Sequence, residues 1–242
     1  MIETLKNYNE PTLNVFQKTL IFIFFTGLIL ESVFQYESFL IGYYYTTRLI
    51  LTPCLFLIIL DFKNKYKNIF HLSYIILYLS DIFTIYSNYL YFSIGMYFLF
   101  LFFALVGLGI LKLRSNNIRN KKTLQYLLIL LSIAFYFANF IATDLQKYSI
   151  FFILLVVLFT VFQAFALKNK RQKIALNYFI PFALLVLVTF FLYGLTFMLD
   201  NKLLSTIMIF LNGIYLFLLS LSINNIGTVL AIKNEDDIKI NH

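Results

Sequence analysis

Long apolar runs, broken at short intervals by basic and amide residues, make up nearly the whole chain. A helix needs about 17–25 mainly apolar residues to cross a bilayer. That measure predicts eight spans, at 17–36, 39–60, 69–87, 89–111, 124–142, 149–167, 177–199 and 203–223. Ser87-Asn88-Tyr89 forms the turn between the third and fourth, and Thr143-Asp144-Leu145-Gln146-Lys147 parts the fifth from the sixth. Connections this short make successive spans antiparallel neighbours. Pro53 falls mid-span and predicts a kink, whereas Pro181 falls in the first turn of the seventh span, where proline is tolerated. The expected fold is all-α: a polytopic membrane bundle of eight transmembrane helices. Residues 1–16 are read as a cytoplasmic N-terminal segment, 17–223 as the transmembrane domain and 224–242 as a short, polar, mobile tail.

The basic residues orient the bundle. Lys6, Lys18, Lys63, Lys65, Lys67, Lys112, Arg114, Arg119, Lys121, Lys122, Lys168, Lys170, Arg171, Lys173, Lys233 and Lys239 fall on one side, 16 of the 19 in the chain. Arg48, Lys147 and Lys202 are the remainder. Positive residues are retained on the cytoplasmic side, so both termini are expected there, in a multi-pass protein of the cell membrane. The first apolar run ends in Glu31-Ser32-Val33, without a small-residue cleavage site, and is read as an uncleaved span.

Composition closes off other classes. Of 242 residues, 61% are hydrophobic and 12% charged, too apolar and too sparsely charged for a soluble core. A net charge of +8 would suggest nucleic acid in a soluble protein; here the cations sit in loops between apolar runs, so no nucleic-acid partner is expected. The lone Cys54 excludes internal disulfides. No metal-ligand spacing, glycine-rich phosphate loop or nucleophile elbow occurs, so no cofactor is implied. His71 has no second histidine or carboxylate near it in sequence, and Gly107-Leu108-Gly109 reads as close helix packing.

The chemistry lies in polar residues inside the spans. Asp81 sits in Leu77-Tyr78-Leu79-Ser80-Asp81-Ile82-Phe83-Thr84, deep in an apolar run. A charge there costs roughly 3 kcal/mol or more unless it is paired or kept neutral. Counted at about 1.5 Å per residue, Asp81, Arg48 and Glu31 all lie roughly 18–20 Å from the cytoplasmic boundary of a core about 30 Å thick. Three consecutive spans thus bring three ionisable residues to one depth. Polar stripes converge on the same level: Tyr74, Tyr78, Asp81, Thr84 and Asn88 in the third span, and Tyr44, Arg48 and Thr52 in the second. Glu31 and Gln35 continue the layer in the first span, Thr189, Tyr193, Thr196 and Asp200 in the seventh, and Ser205, Asn212 and Tyr215 in the eighth. In lipid such stripes must face protein or a wet cavity, so a polar cavity open toward the outer side or outer leaflet is expected. The bland alternative is that these residues only tie helices together.

Several of these residues carry a family resemblance. Arg48-Leu49-Ile50-Leu51-Thr52-Pro53 is followed by a short basic loop, then Leu79-Ser80-Asp81, then an aromatic fourth span with Phe92-Ser93-Ile94-Gly95-Met96-Tyr97-Phe98. This layout resembles the YhhN family of lysoplasmalogenases. Thr52 stands where that family has Lys before the proline, Ser80 where it has Gly, and Phe100-Leu101-Phe102-Phe103 where a histidine is usual. The second acid of the seventh span is missing, and the nearest is Asp200. Tyr215 matches the family's tyrosine, but the glutamine beyond it is absent from Leu218-Leu219-Ser220. The resemblance implies hydrolysis of the vinyl ether of a lysoplasmalogen, with membrane lipids as partners and a lysophospholipid as substrate. Asp81 would be the general acid, and Glu31 or Asp200 would stand in for the second carboxylate. Arg48, Tyr78, Thr84, Tyr193, Asn212 and Tyr215 would contact substrate. Two other readings stay open: a non-catalytic lipid-binding or structural protein of the same fold, and a small transporter using the Glu31/Arg48/Asp81 layer as an ion relay.

Overall fold

In the computed structural model the described residues are 14–37, 41–60, 67–85, 89–114, 118–136, 149–167, 179–199 and 201–240. They form eight helices: α1 (Val15–Tyr36), α2 (Ile41–Ile59), α3 (Lys67–Ile85), α4 (Tyr89–Arg114), α5 (Ile118–Tyr136), α6 (Ser149–Leu167), α7 (Ile180–Leu199) and α8 (Lys202–Ile240). No strand occurs among the described residues. Each predicted span falls on one helix. The fifth starts earlier than expected, at Ile118, and residues 137–142 of that span lie outside the described residues. The polar tail, expected to be mobile, continues α8 as helix to Ile240. Nothing in residues 224–240 stops it: the stretch contains no proline, and the single Gly227 is tolerated within a helix.

α1 shows how the sequence dictates its start. Asn14 caps it: its Oδ1 accepts from the Gln17 backbone N–H at 2.7 Å, and the Asn14 N–H donates back to Gln17 Oε1 at 3.2 Å. This reciprocal box satisfies two backbone donors that would otherwise be orphaned. Leu20, Phe24 and Leu28, four residues apart, are buried, while Phe22, Ile29 and Val33 face outward.

The inside–outside pattern is that of a protein solvated by lipid. Glu31, Thr52, Ser73, Ser80, Asp81, Thr160, Gln163 and Thr189 are buried, whereas Phe22 is 72% and Phe191 68% exposed. Buried hydroxyls find partners cheaply one turn back: Ser32 donates to the Leu28 carbonyl, Thr160 to Val156 and Thr189 to Leu185. Four helices are long and apolar enough to cross a membrane, Val15–Tyr36, Lys67–Ile85, Leu90–Leu113 and Lys202–Asn225. Together these features mark a membrane protein.

Seven helices close a ring. α1 packs on α2, α2 on α3, α3 on α4, α4 on α6, α6 on α7, α7 on α8 and α8 back on α1. α5 stands outside it, against α4 and α6. Stacked rings fasten it there, with Phe135 against Phe100 at 5.0 Å and Tyr97 at 5.6 Å, and Tyr97 Oη shares a hydrogen bond with Ser132 Oγ at 2.8 Å. The expected tight packing at Gly107 and Gly109 is present: a methyl group at 107 would meet the Phe159 ring and Thr160 Oγ1, and one at 109 the Phe70 ring.

Candidate functional site

α2 and α3 meet through one carboxylate. Arg48 Nε donates to Asp81 Oδ1 at 3.0 Å, and Thr52 Oγ1 donates to Asp81 Oδ2 at 2.5 Å. Arg48 and Thr52 are four residues apart on α2, so one helix face grips both oxygens of Asp81. Pro53 follows directly within the helix, where its ring removes one backbone donor. Glu31 of α1 is buried and within electrostatic range of both Arg48 and Asp81. Of the three ionisable residues placed at one depth by the sequence, Arg48 and Asp81 are in contact, and Glu31 is buried within electrostatic range of both.

α3 is held to α4 beside this cluster. Ser80 Oγ donates to the Gly95 carbonyl at 2.8 Å, and a methyl group at position 95 would lie 2.6 Å from Thr84 Cγ2. Only a glycine lets the two backbones come this near. Thr84 turns its hydroxyl back to the Ser80 and Asp81 carbonyls.

A cavity of about 560 Å³ opens at this level. Its wall includes Arg48, Ser80, Asp81, Thr84, Thr189, Tyr193, Ser205, Asn212 and Tyr215, interleaved with apolar Leu77, Met96, Leu99, Ile153, Phe190 and Ile209. Every helix of the ring contributes, and α5 contributes nothing. Tyr215 is 3% exposed, packed against Phe103 and Phe182, and its hydroxyl has no hydrogen-bond partner among the described residues. Asn212, one turn earlier on the same face, has none either.

Of the predicted site residues, Asp81, Arg48, Thr84, Tyr193, Asn212 and Tyr215 share this wall. Glu31 stands behind it, buried and absent from the lining. Tyr78 is half-buried and does not line the cavity. Tyr74, on the same stripe, points elsewhere: its hydroxyl meets Ser220 Oγ at 2.6 Å and donates to the Leu216 carbonyl at 3.2 Å. Asp200 lies outside the described residues. Ser80 entered the sequence reading only as a departure from a family pattern, and Thr52 as a member of the Arg48 stripe that was not assigned to the site; Thr52 binds Asp81 directly and Ser80 fixes its helix. Thr52 lies one turn from Arg48, and that spacing was the signal available. His71 Nε2 lies 3.1 Å from the Ile59 carbonyl in the last turn of α2, a capping position.

An amphiphilic chamber with an ion pair in its wall suits a ligand that is polar at one end and apolar along its length. No protein-family model, no curated protein and no solved structure matches the chain.

Proposed function

We propose that this chain is an eight-span membrane protein with cytoplasmic termini whose cavity binds a single-chain lipid, and that it hydrolyses the vinyl ether of a lysoplasmalogen-type lysophospholipid. The observation that carries the reading is the Arg48–Asp81 pair in the wall of an otherwise mixed polar and apolar chamber. Its volume lies within the roughly 300–1,000 Å³ of small-molecule sites, a scale suited to one acyl chain.

In this reading Asp81 gives a proton to the vinyl carbon remote from the ether oxygen. The adjacent carbon becomes an oxocarbenium ion, water adds there with loss of a proton, and the hemiacetal splits into a fatty aldehyde and a glycerophospho alcohol. The Thr52 hydroxyl donates to Oδ2 and Arg48 to Oδ1 of the ionised carboxylate; the proton that is passed on would sit on Oδ2 with the Thr52 hydroxyl turned away from it, while Oδ1 keeps its bond to Arg48. Among the described residues Glu31 is the carboxyl offered for a second role, buried within electrostatic range of the pair.

A second reading, lipid binding without turnover, is favoured by the same carboxylate: both its oxygens already have partners inside the protein. The test is aldehyde release from lysoplasmenyl-ethanolamine by purified protein in detergent, with Asp81→Asn as control. Release that disappears in Asp81→Asn supports hydrolysis. Binding of the lipid with no release by the folded protein supports the second reading, and neither binding nor release overturns both.

A further inference from the structure

The cavity belongs to the outer half of the bundle. Its lining comes from the last turns of α1 and α3 (Gln35, Thr84, Ile85), the first turns of α4, α6 and α8 (Phe92, Ile153, Ser205) and the C-terminal half of α7 (Thr189, Tyr193). With both termini cytoplasmic, all of these are the outer ends of their helices. The lining nearest the cytoplasm is Leu77, Leu99 and Leu216.

Below that level the interior is filled. Phe70, Tyr74, Phe102, Phe103, Phe182, Leu219 and Ile223 are fully buried, as are Ile58, Ile59 and Ile110. Tyr74 spans this layer from α3 to α8 through Ser220 and the Leu216 carbonyl, and its ring stands edge-on to Phe102 at 6.1 Å. Among the described residues this layer of close-packed rings and aliphatic side chains is a barrier to water and ions. Above it, Tyr215 and Asn212 keep polar atoms in the cavity wall without hydrogen-bond partners among the described residues.

We propose that the cavity is a blind pocket: a single-chain amphiphile enters and leaves it only from the outer side, and nothing passes through to the cytoplasm. This rests on the orientation and lipid reading given above, and it sets aside the transporter alternative.

Cysteine accessibility tests it. In a Cys54→Ala background, Asn212→Cys and Thr189→Cys place thiols in the pocket, while Lys65→Cys and Lys147→Cys mark the two faces. A membrane-impermeant methanethiosulfonate is applied to sealed right-side-out and inverted vesicles. Both pocket thiols are expected to react only from the face on which Lys147→Cys reacts, at least tenfold faster than from the other. Saturating lysophosphatidylethanolamine should slow them about tenfold and leave Lys147→Cys unchanged. Reaction of either pocket thiol from the Lys65→Cys face, or of neither from any face, overturns the blind pocket. Lys65→Cys reacting in right-side-out vesicles overturns the orientation instead, and one-sided reaction without lipid protection overturns the lipid reading.

Discussion

Arg48 holds Asp81 by a 3.0 Å hydrogen bond from Nε to Oδ1, and the two partners are unequally buried: the side chain of Arg48 is 28% exposed, that of Asp81 7%. Glu31 makes the asymmetry larger, since it is buried near both. Removing Asp81 leaves Arg48 with Glu31 as counter-charge, whereas removing Arg48 leaves two acids in a lipid-solvated interior with no cation of their own. Losing one partner of a buried pair costs about 3–5 kcal/mol when the other is stranded. Arg48→Met is therefore expected to lower the thermal midpoint in detergent clearly more than Asp81→Asn. Glu31→Gln added to Arg48→Met should recover part of the loss. Equal effects of the two single substitutions would mean that Glu31 does not share the cluster's charge.

Thr52 separates volume from hydrogen bonding. It is buried, and its hydroxyl meets the second oxygen of Asp81. Thr52→Val keeps the shape and removes the hydroxyl, at an expected cost of about 1–2 kcal/mol. Thr52→Ser keeps the hydroxyl and should cost less. In the hydrolase reading Thr52→Val also lowers aldehyde release, because Asp81 Oδ2 loses the hydroxyl that positions it. Melting curves and aldehyde release on the same three proteins decide both points.

The two buried tyrosines should behave in opposite ways. Tyr74 spends its hydroxyl on Ser220 and Leu216, so Tyr74→Phe is expected to cost about 1–2 kcal/mol of stability and leave lipid affinity unchanged. Tyr215 has no hydrogen-bond partner among the described residues, so Tyr215→Phe should change stability by less than about 0.5 kcal/mol. In the lipid-binding reading it should weaken lysolipid binding several-fold, because the partner it loses would be the ligand. Isothermal binding and melting measured on both variants check the pair; a stability loss in Tyr215→Phe with affinity intact would reverse the assignment.

Gly95 ties helix packing to the pocket. An alanine there would press on Thr84 and strain the Ser80 bond to the Gly95 carbonyl, next to Asp81. Overpacking of this kind costs about 1–3 kcal/mol. Gly107→Ala should cost a similar amount against Phe159 and Thr160, away from the pocket. Both variants should melt earlier, but only Gly95→Ala should also lose lysolipid affinity.

The helices were legible because lipid demands long apolar runs and leaves polar residues one place to go, the interior. That demand also put Glu31, Arg48 and Asp81 at one depth by counting alone. What the sequence hid was rotational. Tyr74 and Tyr78 share a stripe with Asp81, yet Tyr74 turns to α8 and Tyr78 does not line the cavity. Periodicity gives a face about 100° wide, and the cavity takes only part of it. Thr52 was placed on the polar stripe with Arg48 but left out of the candidate site, because against a family pattern it stood for a lysine; its hydroxyl, one turn from Arg48, makes it a partner of Asp81. The helical end of α8 was not foreseen because the last residues carry no apolar run to mark a helix.

The orientation carries the last prediction. If 16 of 19 cations set the topology, reporters fused after residues 65, 116 and 171 should report the cytoplasm, and one after 145 the opposite side. The loop around residue 116 is the decisive one, because Lys112, Arg114, Arg119, Lys121 and Lys122 surround it. Replacing all five with glutamine removes the largest cluster while leaving the apolar runs intact. The other basic loops still hold eleven cations, so the fusions after 65 and 171 should keep their side, while the fusion after 116 should report a mixture. A complete inversion of every fusion on that replacement would show that this loop alone sets the orientation. A wild-type fusion after 145 on the cytoplasmic side would remove the eight-span arrangement, and with it the outward-facing pocket.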